Sequence, residues 1–363
     1  MKSHKFLFRE ILGREEISED MKRTVTPSFY CKPDHEIEEN RVFDYKIIEP
    51  ELNPMRRTLN GKADSLILLF HGLNERNWDK YYPWAEYIAE KTRKPVLLFP
   101  IAFHINRAPD EWSAPRVMQP FISLENRDYI KNDHLTFLNY ALSKRIQADP
   151  YRFYLAGRES VYNVCQLMNQ IQKGRHPMID ARASVDIFAY SIGAMLAQVL
   201  LFANPGYYFT DSKLFMFCGG SVFNEMNGDS RMIMDGESFR TMIKYYTENF
   251  IYFKDEKRLK GDQLEHAFIC HIDKSLYRSQ REYFYNENAK RIRVLSLKKD
   301  TVIPTSGIKS ALGAEQLQCL EELDFPFNYS HEVPFPEVGP KVSATERRYW
   351  FERVFSEASD FLG

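Results

Sequence analysis

The chain alternates short apolar runs with longer segments of helical spacing. Five runs have the length and composition of buried strands: 65–70, 95–100, 185–190, 213–220 and 291–297. Helical spacing is found near 77–93, 124–147, 159–173 and 192–203. Strands that alternate with helices predict a parallel sheet joined by right-handed crossovers, which is an α/β architecture.

The ends of the chain and one internal region follow a less regular pattern. We expect a helix near 5–22, a strand at 42–49, a further strand at 318–325 and a closing amphipathic helix at 344–362. These elements bring the sheet to at least five or six strands. We divide the chain into an N-terminal extension with the first strand or strands (1–60), an α/β core (61–220 and 291–363) and an insertion (221–290).

The longest apolar run, residues 185–205 (VDIFAYSIGAMLAQVLLFANP), has two interpretations. Its length is about that of a membrane span, roughly 20 residues. Asp186 and Gln198 interrupt it, however, and no basic flank follows Pro205. The alternative is a buried strand, a sharp turn at Ser191 and a buried helix. The composition of the rest of the chain favours this second interpretation.

Composition excludes several classes of partner. The 363 residues are 44% hydrophobic and 27% charged, and 49 basic residues balance 50 acidic ones to a net charge of -1. A chain without an excess of positive charge has no field that attracts nucleic acid or an anionic membrane, so we expect neither, and no integral membrane association. No particular oligomeric state is predicted.

The cysteines and the N-terminus indicate a cytoplasmic protein. Five cysteines are scattered singly, at 31, 165, 218, 270 and 319, without the spacing of a zinc site or a disulfide framework. The first residues, MKSHKFLFREILGREE, contain only short apolar stretches and no hydrophobic region of a secretory signal.

A serine follows the third strand run, at the edge of the sheet where α/β proteins bind ligands. Ala189-Tyr190-Ser191-Ile192-Gly193 fits the small-x-Ser-x-Gly pattern of a nucleophile elbow, in which a tight turn exposes the hydroxyl above the sheet. As a bare string the pattern also occurs by chance. Its position between a buried strand and a buried helix favours the elbow.

A serine hydroxyl needs a base and an orienting acid to become a nucleophile. Asp300, three residues beyond the 291–297 run, is the acid candidate, and Glu321 and Asp324 are weaker alternatives. His331 is the base candidate because it is the histidine that follows Asp300 in the order Ser–Asp–His. The alternatives without a catalytic role are that Asp300 caps a turn or a helix and that His331 is a surface histidine. His104, His266 and His271 precede Asp300 and break the order.

A tetrahedral intermediate also needs donors for its oxyanion. We expect the backbone N–H of Ile192 and that of Leu73, with Gly72 or Asn74 as alternatives to Leu73. The possible substrate contacts are His71, Gly72, His104 and Arg107. An arginine in the 101–116 loop either grips a substrate carboxylate or phosphate, or joins loops through an ion pair. Asp133 and His134, in a predicted helical stretch, are read as structural.

The insertion at 221–290 is rich in methionine and aromatic residues. One interpretation is a lid that offers an apolar surface to an acyl or aromatic substrate. The other is a helical subdomain that uses these residues for its own core. The two are compatible.

Four segments together resemble a known superfamily. LILLFHGLN, AYSIGA, LSLKKDTVIP and YSHEVPF, in this order, resemble the α/β-hydrolase superfamily on its serine-hydrolase side, closest to a bacterial branch. The resemblance covers about residues 60–363, with Ala189 where many members have glycine. It implies an eight-stranded, mostly parallel sheet flanked by helices and a lid inserted after the sixth strand. It also implies Ser191 as nucleophile, Asp300 as acid and His331 as base.

The expected activity is hydrolysis of an ester, a thioester or a related acyl bond of a small molecule, through an acyl-enzyme and without a metal or organic cofactor. Two alternatives remain open at this point. One is a catalytically silent binding or scaffold protein with the same fold. The other is an enzyme that cleaves a carbon–carbon or amide bond with the same three residues.

Overall fold

The computed structural model describes residues 1–11, 34–51, 57–128, 132–252 and 262–363. Residues 12–22 of the predicted N-terminal helix, Cys31, and 253–261 of the insertion lie outside them. Within the described residues eight strands form one sheet: β1 (Lys2–Arg9), β2 (Val42–Glu49), β3 (Ala63–Phe70), β4 (Val96–Leu98), β5 (Ile179–Tyr190), β6 (Leu214–Phe217), β7 (Ile292–Leu297) and β8 (Leu320–Leu323).

The strand order is β1-β2-β4-β3-β5-β6-β7-β8. Strand β2 pairs antiparallel with β1 and with β4, and every pair from β4 onward to β8 is parallel. The predicted eight-stranded, mostly parallel sheet flanked by helices is therefore confirmed.

The described helices are α1 (Glu38–Arg41), α2 (Tyr82–Thr92), α3 (Pro115–Asp128), α4 (Tyr140–Ala148), α5 (Tyr151–Gln172), α6 (Ile192–Ala203), α7 (Gly236–Lys244), α8 (Gln263–Cys270), α9 (Arg278–Glu287), α10 (Thr305–Leu312) and α11 (Ala344–Leu362). Helix α11 has the predicted bounds. The helix predicted at 124–147 is instead two helices, α3 and α4. Between them, the side chains of Asn132 and Asn139 accept hydrogen bonds from the backbone N–H groups of His134 and Thr136, and such bonds compete with helix formation.

The N-terminal prediction was wrong over residues 5–9, which belong to strand β1 rather than to a helix. Phe6 and Phe8 are the more buried residues and Lys5, Leu7 and Arg9 are exposed, and period two is the pattern of a strand with one buried face. Phe6 stacks on Tyr45 at 5.4 Å and Phe8 on Phe43 at 4.8 Å between ring centroids. Pairing with β2 thus decides the structure of this short segment.

The central strands bury side chains on both faces of the sheet. In β3, Leu66 and Leu68 pack on the side of α5 and α6, whereas Ile67 and Leu69 pack on the side of α2 and α11. All four are fully buried. A strand covered on both faces reads as a continuous apolar run, which explains SLILLF.

The apolar run at 185–205 is divided between strand β5 and helix α6, with Ser191 as the turn between them. The strand–turn–helix interpretation is therefore confirmed for this segment. Over the described ranges, no helix combines the length and the apolar character that a membrane crossing requires.

Candidate active site

Ser191 occupies a strained turn at the end of β5. Its φ of 57° and ψ of -129° lie where a residue other than glycine is rarely found, at a cost of about 1–3 kcal/mol. Helix α6 begins directly at Ile192 and packs against the end of β3. A Cβ on Gly193 would lie 2.6 Å from the carbonyl oxygen of His71, so only glycine fits there. The tight helix-to-strand contact holds the serine in this conformation.

The side chains of Ser191, His331 and Asp300 form one hydrogen-bonded row. Ser191 Oγ lies 2.6 Å from His331 Nε2, and His331 Nδ1 lies 2.7 Å from Asp300 Oδ2. All three residues are buried. Because a carboxylate only accepts, Nδ1 carries the proton toward Asp300, and Nε2 of the neutral ring is free to accept the hydroxyl proton of Ser191.

Asp300 is fixed from several directions. Its Oδ1 accepts from the backbone N–H groups of Val302 at 2.9 Å and Ile303 at 2.8 Å. The thiol of Cys218 is buried close to this carboxyl, and burial, together with the charge of Asp300, raises the pKa of the thiol well above its usual value. The sequence analysis assigned no role in the site to any of the cysteines. The position of Cys218 at the end of β6, next to the strand that bears Ser191, was the signal that could have found it.

Tyr190 positions His331, and sequence reasoning missed it as well. Its ring stacks on the imidazole with 5.4 Å between centroids and 18° between planes, and its hydroxyl donates to the His331 carbonyl oxygen. Tyr190 precedes Ser191 directly and points to the opposite face of the strand from Ala189. Two consecutive residues therefore supply the hydroxyl of the row, on Ser191, and the support for its imidazole, on Tyr190.

The loop after β3 passes directly over Ser191. A Cβ on Gly72 would lie 3.3 Å from the Cβ of Ser191. The backbone N–H of Gly72 donates to Tyr81 Oη at 2.9 Å, which removes it from the candidate oxyanion donors. Leu73 and Ile192 line the same cavity. As the first residue of α6, Ile192 has an N–H with no partner inside its helix.

A serine at a strained strand-to-helix turn, above a mostly parallel sheet and followed along the chain by its hydrogen-bonded aspartate and histidine, is the arrangement of the α/β-hydrolase fold. A family model described as "Family of unknown function (DUF6051)" matches residues 13–363. The chain belongs to the DUF6051 family. No curated protein has significant sequence similarity to it.

Solved structures similar to this DUF6051 chain include three hydrolases. A puromycin-hydrolyzing peptidase of Mycobacterium tuberculosis is 14% identical, with a TM-score of 0.42, over 89% of this chain and 38% of the peptidase. An esterase of the archaeon Pyrobaculum calidifontis is 9% identical, with a TM-score of 0.44, over 88% and 80%. The fluorophosphonate-binding serine hydrolase F of Staphylococcus aureus is 10% identical, with a TM-score of 0.39, over 89% and 93%. The DUF6051 chain thus spans less than half the length of the peptidase.

The alternative acids lie away from the row in the DUF6051 protein. Asp324 pairs with Lys298 at 3.5 Å and Lys299 at 3.3 Å. Glu321 pairs with Arg293 and Arg353. Both carboxylates are thus engaged by surface cations, and Asp300 is the acid that reaches His331.

His71 has no ring nitrogen left for a substrate, contrary to the expectation. Its Nδ1 donates to the Gly72 carbonyl oxygen at 2.8 Å, and its Nε2 accepts from the Ile101 N–H at 2.9 Å. Burial and the nearby His104 ring lower the pKa of His71 well below its usual value, which keeps the ring neutral. His71 and Gly72 shape the loop by packing and backbone hydrogen bonds.

Of the two roles considered for Arg107, the structure favours the ion pair between loops over a substrate contact. Its guanidinium is fully buried and pairs with Glu159 at 2.9 Å, as in the alternative of an ion pair between loops. Further hydrogen bonds reach Asn163 Oδ1 at 2.8 Å and the side-chain and carbonyl oxygens of Asn40 at 3.0 and 3.1 Å. Arg107 therefore ties the loop after β4 to α1 and α5.

Asp133 and His134 lie in a turn rather than in the predicted helical stretch. His134 Nδ1 lies 2.6 Å from Asp229 Oδ1, a residue of the insertion. The ion pair between His134 and Asp229 joins two surface segments, which agrees with the structural role expected for Asp133 and His134.

A largely apolar cavity adjoins Leu73 and Ile192. It lies between helices α5, α6 and α8, is partly open to the surface and has a cavity volume of about 70 Å³. Its apolar lining includes Phe153, Val161, Met195, Leu196, Leu264 and Phe268. The last two belong to the insertion. The insertion also packs Phe223, Tyr246 and Phe250 into the same core as Phe153 and Tyr154 of α5, so its aromatic residues serve the main core.

A second, polar groove shares Leu73 with the apolar cavity. It has a cavity volume of about 420 Å³ and is lined by the segments 73–77, 79–80, 83–84 and 332–335 together with Met232, Ile233, Arg347 and Phe351. Glu75 pairs with Lys80, and Glu332, next to the His331 of the row, accepts a hydrogen bond from Ser230. An apolar cavity and a charged groove therefore meet beside Ser191.

Proposed function

We propose that this protein is a serine hydrolase that cleaves an ester, a thioester or a related acyl bond. The observation that carries the proposal is the row Ser191–His331–Asp300, with its 2.6 and 2.7 Å hydrogen bonds, built on a serine with a φ of 57°. A buried row of this kind activates a hydroxyl, because the imidazole takes its proton and the carboxylate stabilises the resulting imidazolium.

Each residue of the row has its own role in the proposed reaction. His331 Nε2 accepts the proton of Ser191 as Oγ attacks the substrate carbonyl carbon, and Asp300 holds the imidazolium through Nδ1–H. The N–H groups of Leu73 and Ile192 donate to the oxyanion. His331 then returns the proton to the leaving group, and an acyl-enzyme forms. Water, deprotonated by the same imidazole, releases the acid and restores Ser191.

The two cavities suggest where the two parts of the substrate bind. The acyl portion lies in the apolar cavity, because burial of hydrocarbon there is favourable and Leu73 and Ile192 stand at its border. The leaving group lies in the polar groove, which Leu73 also lines. In this proposal the described part of the insertion covers the acyl portion, since Leu264 and Phe268 contribute to the cavity wall.

Two alternatives make different predictions. A binding or scaffold protein needs no activated hydroxyl, and the complete hydrogen-bonded row argues against it. An amidase or a carbon–carbon hydrolase uses the same row and differs in the bond that it cleaves.

A panel of p-nitrophenyl esters with acyl chains of two to twelve carbons, together with the p-nitroanilides of the same acids, tests the proposal. We expect turnover of the esters, with a maximum at an intermediate chain length, and much slower turnover of the anilides. Absence of turnover throughout the panel would favour the binding protein. Anilides cleaved as fast as esters would favour the amidase.

A further inference from the structure

His104 presents one unpartnered acceptor in the interior of the protein. The residue is 7% exposed. Its Nδ1 lies 2.8 Å from the carbonyl oxygen of Ala102, and because a carbonyl only accepts, Nδ1 carries the hydrogen. Among the described residues, His104 Nε2 has no hydrogen-bond partner.

The ring is neutral at physiological pH, so that Nε2 is an acceptor and not a donor. Burial lowers the pKa of His104 to about 4, and the guanidinium groups of Arg107 and Arg145 act in the same direction. A buried acceptor without a partner costs about 1–3 kcal/mol.

The backbone around His104 is held in an unusual conformation. Phe103 has a φ of 62° and Ile105 a φ of 53°, and a positive φ is especially unfavourable for a β-branched residue such as isoleucine. The Ala102 N–H donates to Ser160 Oγ at 3.0 Å, and the Ile105 N–H donates to the Glu75 carbonyl oxygen at 3.0 Å. The ring position is therefore fixed at a cost in strain, as is common where a residue serves a ligand.

His104 lines the apolar cavity beside Leu73 and Ile192. The other polar side chains of that lining are satisfied within the protein: Tyr154 Oη accepts from Arg158 at 2.9 Å, and Arg158 pairs with Asp262 at 2.5 Å. His104 Nε2 is the polar side-chain atom of this lining that is left without a partner among the described residues. The ring also borders a smaller neighbouring cavity near Trp112 and Arg145.

We propose that the acyl portion of the substrate carries a hydroxyl or an amide N–H that donates a hydrogen bond to His104 Nε2. The substrates are then hydroxyacyl or acylamino-acyl esters rather than esters of plain fatty acids. This inference rests on the proposed function, because it assigns the acyl portion to the cavity beside Leu73 and Ile192. The apolar lining binds the hydrocarbon, and His104 selects for the donor.

Matched substrates and two variants test this inference. The substrates are p-nitrophenyl hexanoate and its analogues with a hydroxyl on C2, C3 or C5 or an acetamido group on C2. His104→Phe keeps an aromatic ring without an acceptor, and His104→Gln keeps an acceptor oxygen. We expect the wild type to prefer at least one substituted ester over hexanoate by roughly tenfold to a hundredfold in kcat/KM. His104→Phe should lose this preference while it still hydrolyses hexanoate, and His104→Gln should retain part of it.

Equal kcat/KM for hexanoate and every substituted ester in the wild type overturns the inference while it leaves the proposed function intact, and so does an unchanged preference in His104→Phe. Such results are expected if Nε2 faces the neighbouring cavity near Trp112. Turnover of none of the esters overturns the proposed function and the inference with it. If His104→Phe fails to fold, the preference of the wild type and its retention in His104→Gln decide the question.

Discussion

Replacing His331 by alanine is expected to lower kcat for p-nitrophenyl ester hydrolysis by roughly 10⁴- to 10⁶-fold. Without Nε2 at 2.6 Å from Ser191 Oγ, nothing in the row takes the hydroxyl proton, and Asp300 has no imidazolium to stabilise. Because the residues of such a row act as a unit, Ser191→Ala and the double variant should show about the same residual rate as His331→Ala. Steady-state kinetics on the four proteins measures this.

The matched control is His35→Ala, an exposed histidine beside Glu36 in the segment that precedes β2. It should change kcat less than twofold. Thermal melting of each variant separates lost chemistry from lost structure, since His331→Ala also removes the ring that stacks on Tyr190. A folded His331→Ala protein that keeps a tenth of the wild-type rate would contradict the assigned base.

Replacing Arg107 by leucine is expected to lower the free energy of unfolding by about 3–5 kcal/mol. The substitution leaves the buried Glu159 carboxyl without its cation, and it also removes donors from Asn40 and Asn163. The double variant Arg107→Leu/Glu159→Leu should recover a large part of this loss, because two apolar side chains then replace a buried ion pair. Urea denaturation of the single and double variants measures both effects.

Arg182→Leu is the control for this experiment, because Arg182 is an exposed arginine whose side chain is 91% accessible and 3.8 Å from Asp180. Its effect should stay within about 0.5 kcal/mol. If the double variant is no more stable than Arg107→Leu, the pair with Glu159 is not what makes Arg107 important for stability.

The sequence was sufficient to predict the row because each member follows a feature that is local in the chain. Ser191 follows a buried strand and opens a buried helix, and Asp300 lies three residues beyond β7. His331 was found by its order after Asp300. The ends of parallel strands meet at one edge of the sheet, so three separate local patterns predicted one cluster.

The roles of Arg107 and His71 could not be predicted in the same way. For Arg107 a substrate contact and an ion pair between loops both stayed open, because its partners Asn40 and Glu159 lie 67 and 52 residues away along the chain. Whether such an arginine faces a ligand or another loop depends on packing that no local pattern records. The prediction of an N-terminal helix was wrong over residues 5–9 for a related reason. Pairing with β2 outweighs the weak helical spacing of such a short segment.

Cys218 and Tyr190 were missed although their positions carried a signal. Both lie at the carboxyl ends of neighbouring strands β5 and β6, next to Ser191. Position at a strand end does not by itself distinguish a residue that attacks or transfers a proton from one that supports such a residue. Tyr190 supports the row through its contacts with His331, and the buried Cys218 lies in the electrostatic surroundings of Asp300.

The most direct test of the central claim is the mass of the protein after reaction with a fluorophosphonate, which phosphonylates an activated serine hydroxyl. We expect one stoichiometric adduct, located by peptide mass spectrometry on the peptide that contains Ser191. Labelling should be absent in Ser191→Ala and strongly slowed in His331→Ala. An adduct on a different residue, or labelling that survives in Ser191→Ala, would contradict the assignment of Ser191 as the nucleophile.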